Sequence, residues 1–279
     1  TEGAADRIVL TGQSDGFTEF GGTSRDGDDL LIALGSDTIR IENHFGGDAV
    51  ETVTLSTAEG DSQTLVLATG LVGGDLDGIL TGTDAGETLN GGGGDDIVFG
   101  GGGDDVLIGE PGDDSYDGGS GVDTLDYGSA TGAMTVDVAA GTAVGGAEAG
   151  NNVFTNVESF RTGSGNDTLL GGAGDDTLDG AGGSDFVAGN AGNDRAIFTL
   201  GGAGQDVYDG GSGSDTLVVE LTGAQFAVAG VGAELLALRD VIDANDGAAD
   251  SPSAVFEKLG LEVSNFEYVD IRVDGAVAD

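Results

Sequence analysis

The chain has 279 residues, with 51 acidic against 8 basic ones for a formal charge of −43, and 57 glycines beside only 5% aromatic residues. So acidic a surface repels phosphate and argues against nucleic acid as a partner, and so little aromatic bulk argues against one large conventional core. Cysteine is absent and His44 is the one histidine, which rules out disulfides and thiolate metal sites and leaves metal binding to oxygen.

No run approaches the roughly 18 apolar residues of a membrane span. The opening TEGAADR lacks the basic-then-apolar pattern of a cleavable signal. A start at Thr1 rather than Met fits a piece of something longer.

Residues 1–72 alternate apolar and polar side chains in Thr38-Ile39-Arg40-Ile41-Glu42, in 50–55 (VETVTL) and in 64–68 (TLVLA). This predicts an antiparallel, half-buried sheet with turns at Asp26-Gly27-Asp28-Asp29 and Glu59-Gly60-Asp61-Ser62. At Gly73 the texture changes to degraded nonapeptides, GGDLDGILT and GTDAGETLN, the second with Glu87 in place of an aspartate. The period is strongest from Gly91 on: GGGGDDIVF, GGGGDDVLI, GEPGDDSYD and GGSGVDTLD. Glycines at the first, second and fourth places permit a tight turn that turns peptide carbonyls toward one point. The sixth-place aspartate adds a carboxylate, so the turn offers hard oxygen donors that suit calcium. Places seven to nine read as a short strand whose middle side chain points inward.

Residues 128–161 break the period and predict strands at 134–138 and 153–160, an interrupting strand pair. The repeat resumes from Thr162 and Gly171 (TGSGNDTLL, GGAGDDTLD), continues through GAGGSDFVA and GNAGNDRAI, and after the extra Phe198-Thr199-Leu200 gives GGAGQDVYD and GGSGSDTLV. That insertion should lengthen or bulge one strand without unstacking its neighbours. In the tail, 233–243 (AELLALRDVID) has helical spacing, Ser251-Pro252 resembles an N-cap and first turn of a second helix ending at Gly260, and 266–273 (FEYVDIRV) reads as a final strand.

The nonapeptide resembles that of repeats-in-toxin (RTX) proteins, G-G-x-G-x-D-x-U-x. The resemblance implies an all-β fold. Two parallel β-roll (β-helix) blocks, 73–127 and 162–218, would stack on calcium, flanked by an antiparallel β module (1–72) and a small α+β cap or secretion-signal region (219–279). It also implies two nonapeptides per coil, with ions between turns eighteen residues apart, held by sixth-place carboxylates and loop carbonyls. Glu87, Asp105 and Asp123 would then line one edge of the first roll, and Asp96 and Asp114 the other. In the second roll the edges are Asp167, Asp185 and Asp206, and Asp176, Asp194 and Asp215. Carbonyl donors fall at Gly92, Gly94, Gly101, Gly103, Gly172 and Gly174. One ion per adjacent pair gives roughly seven Ca2+ ions. Glu87, Pro111, the shifted glycines around Ala181 and the insertion before Gly201 each depart from the pattern.

GDDLLIALGSDTIRIENHF (27–45) with VETVTL is similar to the haemolysin-type calcium-binding related domain that precedes such arrays, with His44 as a packing or surface residue. The segment from TVDVAAGTAVGG to TNVESFRTGSGNDTLLGG is similar to the strand pair that separates RTX blocks. No H-E-x-x-H metalloprotease motif and no EF-hand ladder is present, and the carboxylates fall almost entirely in turns and exposed runs, which argues against an enzyme. The expected protein is a secreted, extracellular calcium-binding structural or adhesive module, exported by type I secretion machinery and folding on meeting calcium. Alternatives are the carboxyl part of a larger secreted enzyme or toxin, or a subunit of a surface layer or filament, with self-association or cell-surface components as the expected partners.

Overall fold

A computed structural model of the chain describes residues 78–201, 204–244 and 253–277, and before these only the backbone of seven short strands between 7 and 72. Of the latter, Phe20–Asp26, Asp29–Leu34 and Asp37–Ile41 form an antiparallel sheet. Arg7–Thr11 pairs parallel and Ser62–Val66 antiparallel with Thr52–Ser56. His44 and the turn at 59–61 lie outside the described residues.

The chain divides into two compact units, Thr1–Thr124 with Asn152–Val157, and Leu125–Asn151 with Glu158–Asp279. In the first, alternate nonapeptides enter alternate parallel ladders. Ile79–Thr81, Ile97–Gly102 and Ser115–Ser120 make one, in register Ile79↔Ile97↔Ser115. Leu71–Val72, Thr88–Asn90 and Val106–Ile108 make the other, in register Thr88↔Val106. Each strand is so short that only its middle side chain turns inward. Leu80, Leu89, Val98, Leu107 and Tyr116 are buried, whereas Ile97 and Phe99, flanking Val98, are each 40% exposed.

The second unit repeats this plan. Thr168–Leu170, Phe186–Ala188 and Asp206–Asp209 form one ladder, and Ser159–Arg161, Thr177–Asp179, Arg195–Thr199 and Thr216–Leu221 the other. Phe198 and Thr199 of the insertion extend the Arg195–Thr199 strand, which pairs in step from Arg195↔Thr216 to Thr199↔Glu220. Phe198 is buried edge-to-face against Tyr208, with ring centroids 5.9 Å apart. The insertion is thus absorbed as strand, and the turns beyond it stay stacked.

The interrupting segment supplies four strands. Thr135–Asp137 runs parallel to Thr168–Leu170 and makes an antiparallel hairpin with Thr142–Gly146. Gly150–Thr155 runs parallel to Ser115–Ser120 in the first unit, and Ser159–Arg161 to Thr177–Asp179 in the second. They are built into the ladders because Val136, Phe154 and Phe160 occupy the inward middle positions. Arg161 bridges Asp126 at 3.8 Å and Asp179 at 3.5 Å on the outer face.

The tail adds a further strand to each ladder of the second unit, Leu261–Ser264 beside Asp206–Asp209 and Tyr268–Val273 beside Thr216–Leu221. Ala254–Phe256 and Ala276–Val277 then pair antiparallel on these. After the single turn of helix Gly223–Phe226, the helix Val231–Asp243 buries Val231, Leu235, Leu238 and Ile242 along one side. The second helix expected up to Gly260 is instead a β-hairpin, with Ala254↔Val263 and Phe256↔Leu261 in register and Gly260 at φ 66° closing the turn. Val255 and Phe256 prefer extended backbone, and the edge of Leu261–Ser264 offers them ladder hydrogen bonds that a helix of two turns cannot match. Ser251 and Pro252 lie outside the described residues.

Candidate metal centre

The turn and strand of each nonapeptide place the sixth-place carboxylate where the chain enters the ladder, and the stacking of coils buries it. Asp105, Asp123 and Asp215 are at most 1% exposed, and Asp96, Asp114, Asp167, Asp176, Asp185, Asp194 and Asp206 are also buried. In eight of the ten one oxygen is used the same way, Oδ1 accepting the backbone N–H of the sixth-place residue one coil earlier, while Asp167 Oδ1 accepts that of Met134 at 2.8 Å. In the first unit Glu87 donates to Asp105 at 2.8 Å, Asp105 to Asp123 at 2.8 Å and Asp96 to Asp114 at 2.8 Å. In the second, Asp167 donates to Asp185 at 2.9 Å and Asp176 to Asp194 at 2.8 Å. Across the insertion Asp185 still donates to Asp206 and Asp194 to Asp215, each at 2.8 Å, although the separation is now 21 residues. The residues predicted for each edge are therefore stacked in the four rows expected.

The second oxygen is different. Oδ2 of Asp105, Asp194 and Asp215 is buried and accepts no hydrogen bond. A buried ionised oxygen left this way costs several kcal/mol unless a cation or proton meets it. It faces a cradle at the first-place glycine of its own repeat: a Cβ on Gly100 would stand 2.6 Å from Asp105 Oδ2 and also press on the Gly118 carbonyl oxygen of the next coil. Gly180 has the same relation to Asp185 Oδ2, at 2.8 Å. A carboxylate oxygen and a peptide carbonyl thus converge on a space no side chain fills, a donor set that fits calcium. Among the described residues no three acidic or imidazole side chains converge, so any ion held here needs main-chain oxygens as well.

Two positions are satisfied locally instead. The Tyr116 hydroxyl donates to Asp114 Oδ2 at 2.9 Å, and the Gly172 N–H donates to Asp176 Oδ2 at 2.7 Å. Gly92, Gly94, Gly101 and Gly103 are left-handed, at φ 88° to 104°, while Gly172 and Gly174 do not share that conformation. Ala181 and Asn190 take it at the second place of their repeats, at φ 55° and 68°, and Asp185 keeps its place in the row. Pro111, which has no N–H to give, still accepts from Gly94 at 3.3 Å.

Fifth-place residues form a second ladder that the sequence reading missed. Asp95 Oδ1 accepts the N–H of Asp113, Asp104 that of Val122, Asn166 that of Ser184 and Asp175 that of Asn193, at 2.6 to 2.9 Å and eighteen residues apart. The column of Asp and Asn immediately before the sixth place was the available signal.

Burial raises eight of the sixth-place carboxyls, against the lowering effect of the N–H each accepts. Asp185 is pushed up to about 7, and Asp105, Asp194 and Asp215 to about 6. Asp114, Asp167, Asp176 and Asp206 are raised for the same first reason. Gly100→Ala tests the cradle, because Gly100 needs no left-handed backbone and the only change is the Cβ. We expect a loss of about 1–3 kcal/mol from overpacking, read as a rise of roughly tenfold or more in the calcium concentration at the folding midpoint.

The family described as RTX calcium-binding nonapeptide repeat (4 copies) matches residues 81–116, 90–125, 161–196 and 200–217. The chain therefore carries RTX repeats within 81–217, and such repeats bind Ca2+ and are typical of secreted proteins. The matches begin beyond the 27–45 stretch that resembles an accessory domain. No curated protein is matched by the chain.

Proposed function

We propose that this is a secreted, non-catalytic RTX module, structural or adhesive in role, whose repeats fold on meeting extracellular calcium. The observation that carries the reading is the row of buried carboxylates with one oxygen committed to the adjacent coil and the other facing an unfilled cradle. Asp96, Asp105, Asp114, Asp123, Asp167, Asp176, Asp185, Asp194, Asp206 and Asp215, with Glu87 at the start of its row, would hold roughly seven ions together with turn carbonyls. Bound calcium supplies the positive charge that lets the stacked carboxylates stay ionised while buried. The chain's own part is to bring those oxygens together, which happens only once two turns are stacked. Until then one inward apolar side chain per nonapeptide offsets little of the entropy of ordering so many glycines.

Type I export fits this behaviour, since a chain with −43 formal charge stays extended at low calcium. The antiparallel strands Ala254–Phe256 and Ala276–Val277 cover the outer edge of the last parallel strands. That supports the tail as a cap and speaks against end-to-end assembly through it. The test is a calcium titration followed by far-ultraviolet circular dichroism. Strand signal is expected to rise steeply with calcium and to collapse in EDTA; a signal unchanged by EDTA at neutral pH would sink the proposal.

A further inference from the structure

The tail, beyond the last residue of the repeat matches, contains a second copy of an element found in the interrupting segment. Thr155-Asn156-Val157-Glu158 and Ser264-Asn265-Phe266-Glu267 share an Asn two residues before a Glu, with an apolar residue between them that is buried in both cases. The two asparagines adopt the same left-handed backbone, at φ 52° and 54°. Each side-chain amide donates to a ninth-place aspartate, Asn156 to Asp117 at 2.8 Å and Asn265 to Asp209 at 2.7 Å. Each main-chain carbonyl then lies over a first-place glycine. A Cβ on Gly118 would meet the Asn156 oxygen and Asp123 Oδ2, and one on Gly210 would meet the Asn265 oxygen and Asp215 Oδ2, the latter at 2.9 Å. The carbonyl and carboxylate cradle of the repeats is thus rebuilt in the tail without a nonapeptide.

Glu267 completes it. Its Oε2 accepts the Asp215 N–H at 2.7 Å, the bond that a sixth-place aspartate makes elsewhere in the rows. Asp215 is fully buried, and its Oδ2 accepts no hydrogen bond. Glu267 is also the largest of the like charges that add to burial in raising the Asp215 carboxyl. Glu158 adds its charge to the raising of Asp176, but the Asp176 N–H goes to Asp194 and the Gly172 N–H donates to Asp176 Oδ2, so the arrangement at Glu267 is not repeated there.

We infer that Asp215, Glu267 and the Asn265 carbonyl form one further calcium site, outside the repeats, that fastens the tail to the last repeat turn. The inference rests on the proposed calcium reading of the sixth-place rows. It is tested on the full chain by counting bound Ca2+ with native mass spectrometry and calorimetry, and by following hydrogen exchange in 261–273 with and without calcium.

Glu267→Gln keeps an acceptor for the Asp215 N–H but removes the charge. It should bind one ion fewer than the parent and lose calcium-dependent protection in 261–273, with protection of 91–126 unchanged. Glu267→Asp, which restores a carboxylate, should recover the ion. A full ion count in Glu267→Gln, or the same loss in both variants, would overturn the inference. Asp105→Ala separates this outcome from a failure of the underlying reading: if it loses ions while Glu267→Gln does not, only the tail site is wrong. If the parent chain binds no calcium, the reading of the rows fails with it.

Discussion

Asp105→Ala is expected to remove about two of roughly seven calcium ions, not one. Asp105 sits between Glu87 and Asp123 in its row, accepting the N–H of the former through Oδ1 and donating its own N–H to the latter, both at 2.8 Å. Its side chain therefore borders two stacking intervals, and its Oδ2 is one of the buried oxygens that accept no hydrogen bond. The neighbouring Asp104→Ala provides the contrast. Asp104 only caps the Val122 N–H at 2.9 Å, so its loss should cost about 0.5–1.5 kcal/mol of stability with no change in ion count. Calorimetric stoichiometry at neutral pH checks both, and a loss of one ion or none in Asp105→Ala would undo the shared-carboxylate arrangement.

Acid should act on this protein in opposite directions with and without calcium. Asp185 titrates near 7 and Asp105, Asp194 and Asp215 near 6 in the coil, all above the ordinary aspartate value because burial penalises their charge. The calcium-free coil thus binds protons more tightly than the unfolded chain. Their contribution to its stability is complete below about pH 4 and is lost as pH rises through 6 to 7. In EDTA, strand signal should therefore grow as pH is lowered from 8 to 5. In calcium the same protons compete for the same oxygens, so the calcium midpoint should move to higher concentration over that range. A midpoint independent of pH between 8 and 5.5, or strand signal in EDTA that falls on acidification, would contradict the electrostatics described for the rows.

The parallel ladders were legible because the repeat states its geometry directly. The period marks one inward residue in every nine, and the RTX resemblance implies two nonapeptides per coil; the two together give Leu89↔Leu107 and Leu169↔Val187. The insertion at Phe198 was readable in kind but not in detail, since only the partner strand Thr216–Leu221 shows that the added residues pair. Less could be read where the period lapses. Val136, Phe154 and Phe160 replace the middle residue of a repeat without the paired glycines that open a nonapeptide, so little in the local sequence marks them as coil. The 254–264 hairpin was misread because its start has helix-like punctuation, whereas the ladder edge it joins is a tertiary feature. Within the candidate site, the sixth-place column was visible. The choice between an oxygen left open at Asp105 and one closed by Tyr116 at Asp114 depends on side-chain reach that spacing does not encode.

The backward reach of the sixth-place carboxylate gives the fold a direction in time. Most sixth-place amides in the rows wait for an acceptor eighteen or twenty-one residues further along the chain, that of Asp114 waits for Asn152, thirty-eight residues on, and that of Asp215 for Glu267, fifty-two residues on. Whenever the chain is released into calcium from its amino end, a coil cannot be completed until the next has emerged. Locking therefore trails release by at least eighteen residues and finishes only with the tail. A roll cut short at its carboxyl side would keep its last amide open, and would fray from that end first.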